Sequence, residues 1–203
     1  YYDSEHWPAF VGSSMATLFV GSILFLTNKG NATEHLELRQ AFLLTNSAWI
    51  SIALFGSLPF LLSDIEMSFI DAFFESTSGI TTTGATVIEN LEAKSHGILI
   101  WRALLQWLGG VGIIVMALAV LPMLSIGGMQ LFKTESYETP DKVVPKAASF
   151  AAGISIVYIT LTVIWALMLW GAGMPMFDSI AHAMTTLATG GYSTKSESLA
   201  AFN

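Results

Sequence analysis

Two short passages combine hydroxyls with glycine in a chain that is otherwise strongly apolar: SGITTTGAT from Ser78 to Thr86, and TTLATGGYS from Thr185 to Ser193. The chemistry they offer is that of neutral oxygens. Glycine reaches φ > 0 without steric cost, and one such glycine in an otherwise extended stretch lets successive carbonyls aim at a common axis. Threonine and serine hydroxyls add further oxygens or anchor the backbone from behind. Carbonyls converging from several such loops can replace the water shell of a desolvated monovalent cation, with no demand for His, Cys or carboxylate ligands. The alternative is a plain polar turn between two helices.

Other chemistry finds little support. The chain has no cysteine, which excludes disulfides and thiol catalysis. It shows no His/Glu zinc spacing, no paired aspartates inside an apolar run, and no Ser–His pair with an orienting acid, so an intramembrane enzyme is not expected. GGVG at Gly109–Gly112 lacks the full dinucleotide fingerprint and its preceding strand, and close helix packing through small residues explains it better. Glu75 lies four residues after Asp71. It reads either as a cation-attracting carboxylate behind or above the first Thr/Gly stretch, or as a buried acid bonded to that stretch's backbone. His182 holds the matching place near the second stretch and reads as structural. Lys94 and Arg102 are expected to anchor the outer membrane interface.

The elements that must position these stretches are membrane-length helices. Of the 203 residues, 53% are hydrophobic and only 11% charged, against about 25% charged in a typical soluble domain; the mean hydropathy is +0.62. Four uncharged runs, Pro8–Thr27, Gln40–Ser63, Ala103–Phe132 and Ala147–Phe177, each reach the ~20 residues that cross a hydrocarbon core as a helix. FIDAFFESTSGI and FDSIAHAMTTLA are too short and too polar to span. They read as short helices dipping partway into the membrane, each with an Asp in its first turn, where a carboxylate suits the helix N-terminus. The chain must then turn back, and non-helical backbone at membrane depth survives only if buried in protein or lining a water-filled cavity.

Sliding the chain against itself by 107 residues brings Asp71 onto Asp178, Thr82 onto Thr189, Gly84 onto Gly191 and Thr86 onto Ser193. The order span, dipping segment, Thr/Gly stretch therefore occurs twice, as in internally repeated transporters. Two crossings separate the two stretches, so both lie on one face and can serve one site around an axis along the membrane normal. Lys29, Arg39, Lys133, Lys142 and Lys146, five of the eight basic residues, fall in the two linkers between spans, which the positive-inside rule puts in the cytoplasm. Ten of the fifteen acids lie on the other flanks, giving the outer face a cation-attracting field. The sequon Asn31-Ala-Thr33 falls in a cytoplasmic linker and carries no signal. With no initiating Met, and ending shortly after the second stretch, the chain reads as part of a longer protein.

Taken together, FFESTSGITTTGAT, WLGGVGIIVMALAVLPMLSIGGMQLF and HAMTTLATGGYST resemble the potassium-uptake membrane subunits of the Trk/Ktr/HKT superfamily, and within it the bacterial TrkH/TrkG type. The resemblance covers essentially the whole chain. It implies an all-α membrane protein of transmembrane helices with re-entrant pore helices and filter loops, in which four M1–pore helix–M2 repeats surround one pore. Residues 1–36 would be the second helix of an N-terminal pair plus a cytoplasmic linker. Residues 37–132 would form the first repeat, and 133–203 a linker and the start of the second, without its M2. The filter would comprise Thr81, Thr82, Thr83 and Gly84 with Ala188, Thr189, Gly190 and Gly191. Potassium, the transported ion, would be held by the backbone of Thr82, Thr83, Gly84, Thr189, Gly190 and Gly191. Ala188 stands where the first repeat has Thr81, so the ring would be only pseudo-symmetric, and two loops alone should not conduct.

The resemblance also implies a homodimer, a cytosolic nucleotide-binding regulatory subunit of the TrkA/KtrA type, membrane lipid and no nucleic acid as partner, and a multi-pass location in a bacterial inner membrane. The rival expectation is a non-conducting structural or regulatory membrane subunit.

Overall fold

The computed structural model describes residues 7–29, 38–63, 65–124 and 143–202. They form seven α-helices: α1 (Trp7–Asn28), α2 (Leu38–Gly56), α3 (Leu58–Leu62), α4 (Phe69–Ile80), α5 (His96–Leu124), α6 (Val143–Gly171) and α7 (Met176–Leu187), with 3₁₀ turns at Leu91–Ala93 and Ser198–Phe202. Four stretches are long and apolar enough to cross a membrane: Trp7–Asn28, Phe42–Leu62, His96–Ile114 and Ala152–Gly171. The four expected spans are thus present. Their outward faces carry exposed Leu18, Phe19, Ile52, Ile156 and Leu167, as hydrocarbon contact requires.

The second span is α2 and α3 joined at Ser57. Pro59 cannot donate to a carbonyl one turn back, which breaks the ladder. The Phe60 N–H next to it binds Ser57 O at 3.1 Å, and the Gly56 carbonyl it would otherwise reach accepts from the Trp101 indole N–H on α5 at 2.9 Å. The third helix begins at His96, seven residues before the uncharged run expected for it, because its one charged residue, Arg102, is buried rather than terminal. The end of that run, 125–132, lies outside the described residues, as do most of the linker 133–146 and the Asn31 sequon. The fourth run is two elements. After α6 the chain turns at Gly173, φ +102°, and Pro175 opens α7.

Contacts at one end of the bundle set the orientation of the dipping helices. Phe10 stands edge-on to Trp101 with ring centroids 6.0 Å apart, and His96 stands edge-on to Phe177 at 4.4 Å. The starts of α1, α5 and α7 therefore share a layer, and the far end of α3 joins it, since a Cβ on Gly12 would lie 3.5 Å from Leu62. Core packing links the repeats through α5. Leu99, Leu105 and Ile98 pack with Phe60, Ala72, Ile88 and Leu91, while Ala103 packs with Ala181 and Met184 of α7.

Candidate functional site: two glycine loops at the ends of the dipping helices

The two dipping helices have the same length and the same register. α4 runs Phe69–Ile80 and α7 Met176–Leu187, so both boundaries are offset by 107 residues. The loops that follow repeat this to the level of backbone hand. Thr82 and Thr189 both have φ +56°, and Gly84 and Gly191 have φ +82° and +79°. One left-handed residue per loop was expected; there are two, the first a threonine. β-Branched residues are rare in that region, at a cost of roughly 1–2 kcal/mol each.

The local cause is a helix cap. The Thr82 N–H donates to Gly79 O (2.9 Å) and the Thr83 N–H to Ser78 O (2.9 Å), the two bonds of a Schellman ending with the left-handed residue just past the cap. The second loop repeats them, Thr189 N–H to Thr186 O and Gly190 N–H to Thr185 O, both 2.9 Å. These bonds fix the carbonyls too. All peptides among the described residues are trans, so each C=O points opposite the N–H of its own plane. With those N–H groups bound back to the helix, the carbonyls of Thr81 and Thr82, and of Ala188 and Thr189, point away from it. The Gly84 N–H also leans toward Ser78 O, at 3.5 Å.

The loops touch. A Cβ built on Gly84 would collide with the Gly190 carbonyl oxygen, so only glycine permits this approach of main chain to main chain. All eight residues expected at the site stand at the C-terminal ends of α4 and α7, where helix dipoles contribute partial negative charge. They are not equivalent. Thr81 is exposed and its hydroxyl donates to Thr77 O at 2.7 Å, whereas Ala188 is buried, within 3.0–3.1 Å of where a Cβ on Gly110 would sit. Ala85 is exposed, but its carbonyl faces back into the protein. Its carbonyl accepts from the Ser78 hydroxyl at 2.6 Å and from the Tyr192 phenol at 3.2 Å.

Behind each loop an α4 or α7 side chain grips a hydroxyl eleven residues later. The fully buried Glu75 carboxylate accepts from the Thr86 hydroxyl at 3.0 Å and from the Val87 N–H at 3.0 Å, and Thr86 in turn accepts from the Ile88 N–H at 3.1 Å. In the second loop His182 takes that place. Its Nδ1 lies 2.8 Å from Asp178 O, so the proton sits there and Nε2 accepts from the Ser193 hydroxyl at 3.0 Å. Ser193 accepts from the Lys195 N–H at 3.0 Å. Of the two readings of Glu75, the buried acid bonded to loop backbone is the one observed, and His182 is structural as expected.

Arg102 is not an interface anchor. It is 1% exposed, because its Nε binds Glu75 at 2.7 Å while Nη1 donates to Ser193 O at 2.9 Å. Its guanidinium also lies over the Tyr192 ring, 4.1 Å from the centroid. One cation thus ties both loops together. Tyr192 crosses the other way, its phenol donating to Glu75 O at 2.9 Å. Farther out, Glu92 accepts from the Ser196 N–H and hydroxyl. The backbone bond is the main cause that holds its carboxyl below the usual 4.5.

Sequence reasoning placed the filter carbonyls around Thr82–Ala85 and Thr189–Tyr192, but missed Arg102 and Gln106 as site residues and the part the Tyr192 side chain plays. A charge at the edge of an apolar run reads as a terminus, and nothing local marks a partner 27 residues away.

The family described as "TrkH: Cation transport protein" matches residues 6–203. The chain is 43% identical over 198 residues to the Trk system potassium uptake protein TrkH of Salmonella typhimurium, covering 96% of this chain and 41% of that one. It is 44% identical over 200 residues to the Trk system potassium uptake protein TrkI of Halomonas elongata, covering 98% and 41%. The crystal structure of the potassium transporter TrkH from Vibrio parahaemolyticus superimposes with a TM-score of 0.83 at 39% identity, over 96% of this chain and 38% of that one. The chain spans about two fifths of the length of these relatives.

Proposed function

The chain belongs to the TrkH family of cation transport proteins, and from that premise we propose that it supplies two loops of a potassium-selective filter in a potassium-uptake protein. Dehydrated potassium, the substrate, would be coordinated by the backbone of Thr82, Thr83, Gly84, Thr189, Gly190 and Gly191. The relatives carry potassium uptake in their names, and four membrane-length helices make this a multi-pass membrane protein. The observation that carries the proposal is the duplicated backbone. Two loops with the same alternation of hand stand side by side, with N–H groups bound to their helices and carbonyls directed the other way. Oxygens so oriented are neutral and held in place, which suits a large monovalent ion.

Gly84→Ser tests the proposal in the protein at its natural length. Serine must adopt a left-handed φ and place its Cβ against the Gly190 carbonyl, so the loops must separate. Potassium-over-sodium discrimination in uptake assays should fall. Gly191→Ser, with nothing within 4 Å of its Cβ among the described residues, should be milder. Unchanged discrimination in Gly84→Ser overturns the filter assignment.

The same proposal takes residues 37–132 as one M1–pore helix–M2 repeat and 133–203 as a linker and the start of the next, after a leading helix and linker at 1–36. It places the linkers in the cytoplasm and the protein in a bacterial inner membrane, as a homodimer bound to a nucleotide-sensing cytosolic ring of the TrkA/KtrA type. Cross-linking in native membranes that yields neither a dimer nor a soluble nucleotide-binding partner would remove those two assignments.

A further inference from the structure

Gln106 sits on α5, one turn after Arg102, and is fully buried. Its Oε1 accepts the Tyr192 N–H at 3.1 Å, while its Nε2 makes no hydrogen bond among the described residues. The orientation of the amide is fixed by this contact, since an NH₂ group turned toward Tyr192 would face another donor. Gly190 is pressed against the same side chain, because any Cβ there would collide with the Gln106 amide. The Tyr192 N–H shares its peptide plane with the Gly191 carbonyl, and the plane is trans, so the two point in opposite directions.

We propose that Gln106 is a positioning residue for the filter: by holding the Tyr192 N–H behind the second loop, it keeps the Gly191 carbonyl turned toward the ion. This rests on the filter reading above and goes beyond it, because it names what orients one specific oxygen. Gly191 has φ +79° and no side chain, so nothing of its own resists rotation of that peptide. The other ties just past this plane include the Tyr192 phenol on Glu75 O, Arg102 on Ser193 O and over the Tyr192 ring, and His182 on the Ser193 hydroxyl. They hold residues on the far side of the plane and bind neither its N–H nor its carbonyl. Among the described residues the first loop has no matching device. Ala85, the counterpart of Tyr192, is held through its carbonyl.

Two near-isosteric variants in the protein at its natural length separate positioning from packing. Gln106→Met keeps the volume and removes the acceptor. Gln106→Glu keeps an acceptor oxygen for the Tyr192 N–H and replaces only the nitrogen that lacks a partner. Gly84→Ser serves as the control for the filter itself. In uptake assays corrected for protein abundance, Gln106→Met should raise the KM for potassium and lower potassium-over-sodium discrimination on the order of tenfold, the scale of one buried hydrogen bond. Gln106→Glu should restore most of that discrimination.

A Gln106→Met protein with normal discrimination, beside a Gly84→Ser protein that has lost it, overturns this inference and leaves the filter reading standing. Equal loss in Gln106→Met and Gln106→Glu also overturns it. Normal discrimination in all three overturns both.

Discussion

Arg102 concentrates the residue-scale logic of the site. A guanidinium buried to 1% exposure is tolerable because Glu75, at 0%, neutralises it at 2.7 Å and the Ser193 carbonyl accepts from Nη1 at 2.9 Å, although Nη2 makes no hydrogen bond among the described residues. Such pairs contribute little net stability, yet breaking one strands a buried charge at a cost of about 3–5 kcal/mol. Arg102→Ala should therefore markedly lower the thermal stability of the detergent-solubilised protein and release both loops, whereas a melting curve like the parent's would show that Glu75 does not depend on this partner. The sequence singled out Glu75 and left its role open, because an acid in a dipping helix reads equally well as a lure for cations or as a brace. Its partner was invisible for a different reason: ion pairs between helices have no local spacing rule, unlike the i, i+4 pairs within one helix. Thr82 and Thr189 were legible as residues of matching Thr/Gly loops but not as left-handed ones, since the hydroxyl pattern gives no hint of φ. The cap bonds do.

At the scale of elements, α5 is the spine against which both loops are set, and its glycines measure how closely. A Cβ on Gly109 would collide with the Ile80 carbonyl at the end of α4; one on Gly110 would lie 2.7 Å from the Tyr158 hydroxyl and 3.0 Å from Ala188; one on Gly112 would meet Trp49 at an ordinary 3.6 Å. Small residues let helix backbones approach, and here the approach delivers the dipping helix to its place. Gly109→Ala should cost about 1–3 kcal/mol through overpacking and impair uptake, while Gly112→Ala should be tolerated; thermal melts of the two variants side by side decide it, and equal behaviour would deny the close contact its role. The GGVG motif was readable as packing from its apolar setting alone. The boundaries of α5 and α6 were less so. An uncharged run ends where charge begins, but a helix ends where hydrogen bonding does, so α5 starts seven residues early around a buried arginine, and α6 stops inside its run at a Gly173 turn followed by Pro175.

For the whole molecule, the 107-residue period is the feature most completely written in the sequence. It set helix against helix and glycine against glycine before any geometry, and the backbone repeats it in helix boundaries, cap bonds and the hand of four residues. The ties across the repeats are not symmetric: Arg102 and Gln106 reach from the first repeat to the second, and Tyr192 reaches back to Glu75 where its counterpart Ala85 has no side chain to do the same. Neither a period nor a hydropathy pattern encodes such contacts, which depend on which elements become neighbours. The central claim is that main-chain oxygens of the two loops hold the ion. Its most direct test is anomalous diffraction from crystals of the protein at its natural length, soaked in rubidium or thallium as heavy substitutes for potassium. Peaks should lie between the loops, within direct coordination distance of the Thr82 and Thr189 carbonyls, and should vanish when sodium replaces the heavy ion. Ordered peaks elsewhere in the membrane region, with none between these loops, would contradict the account.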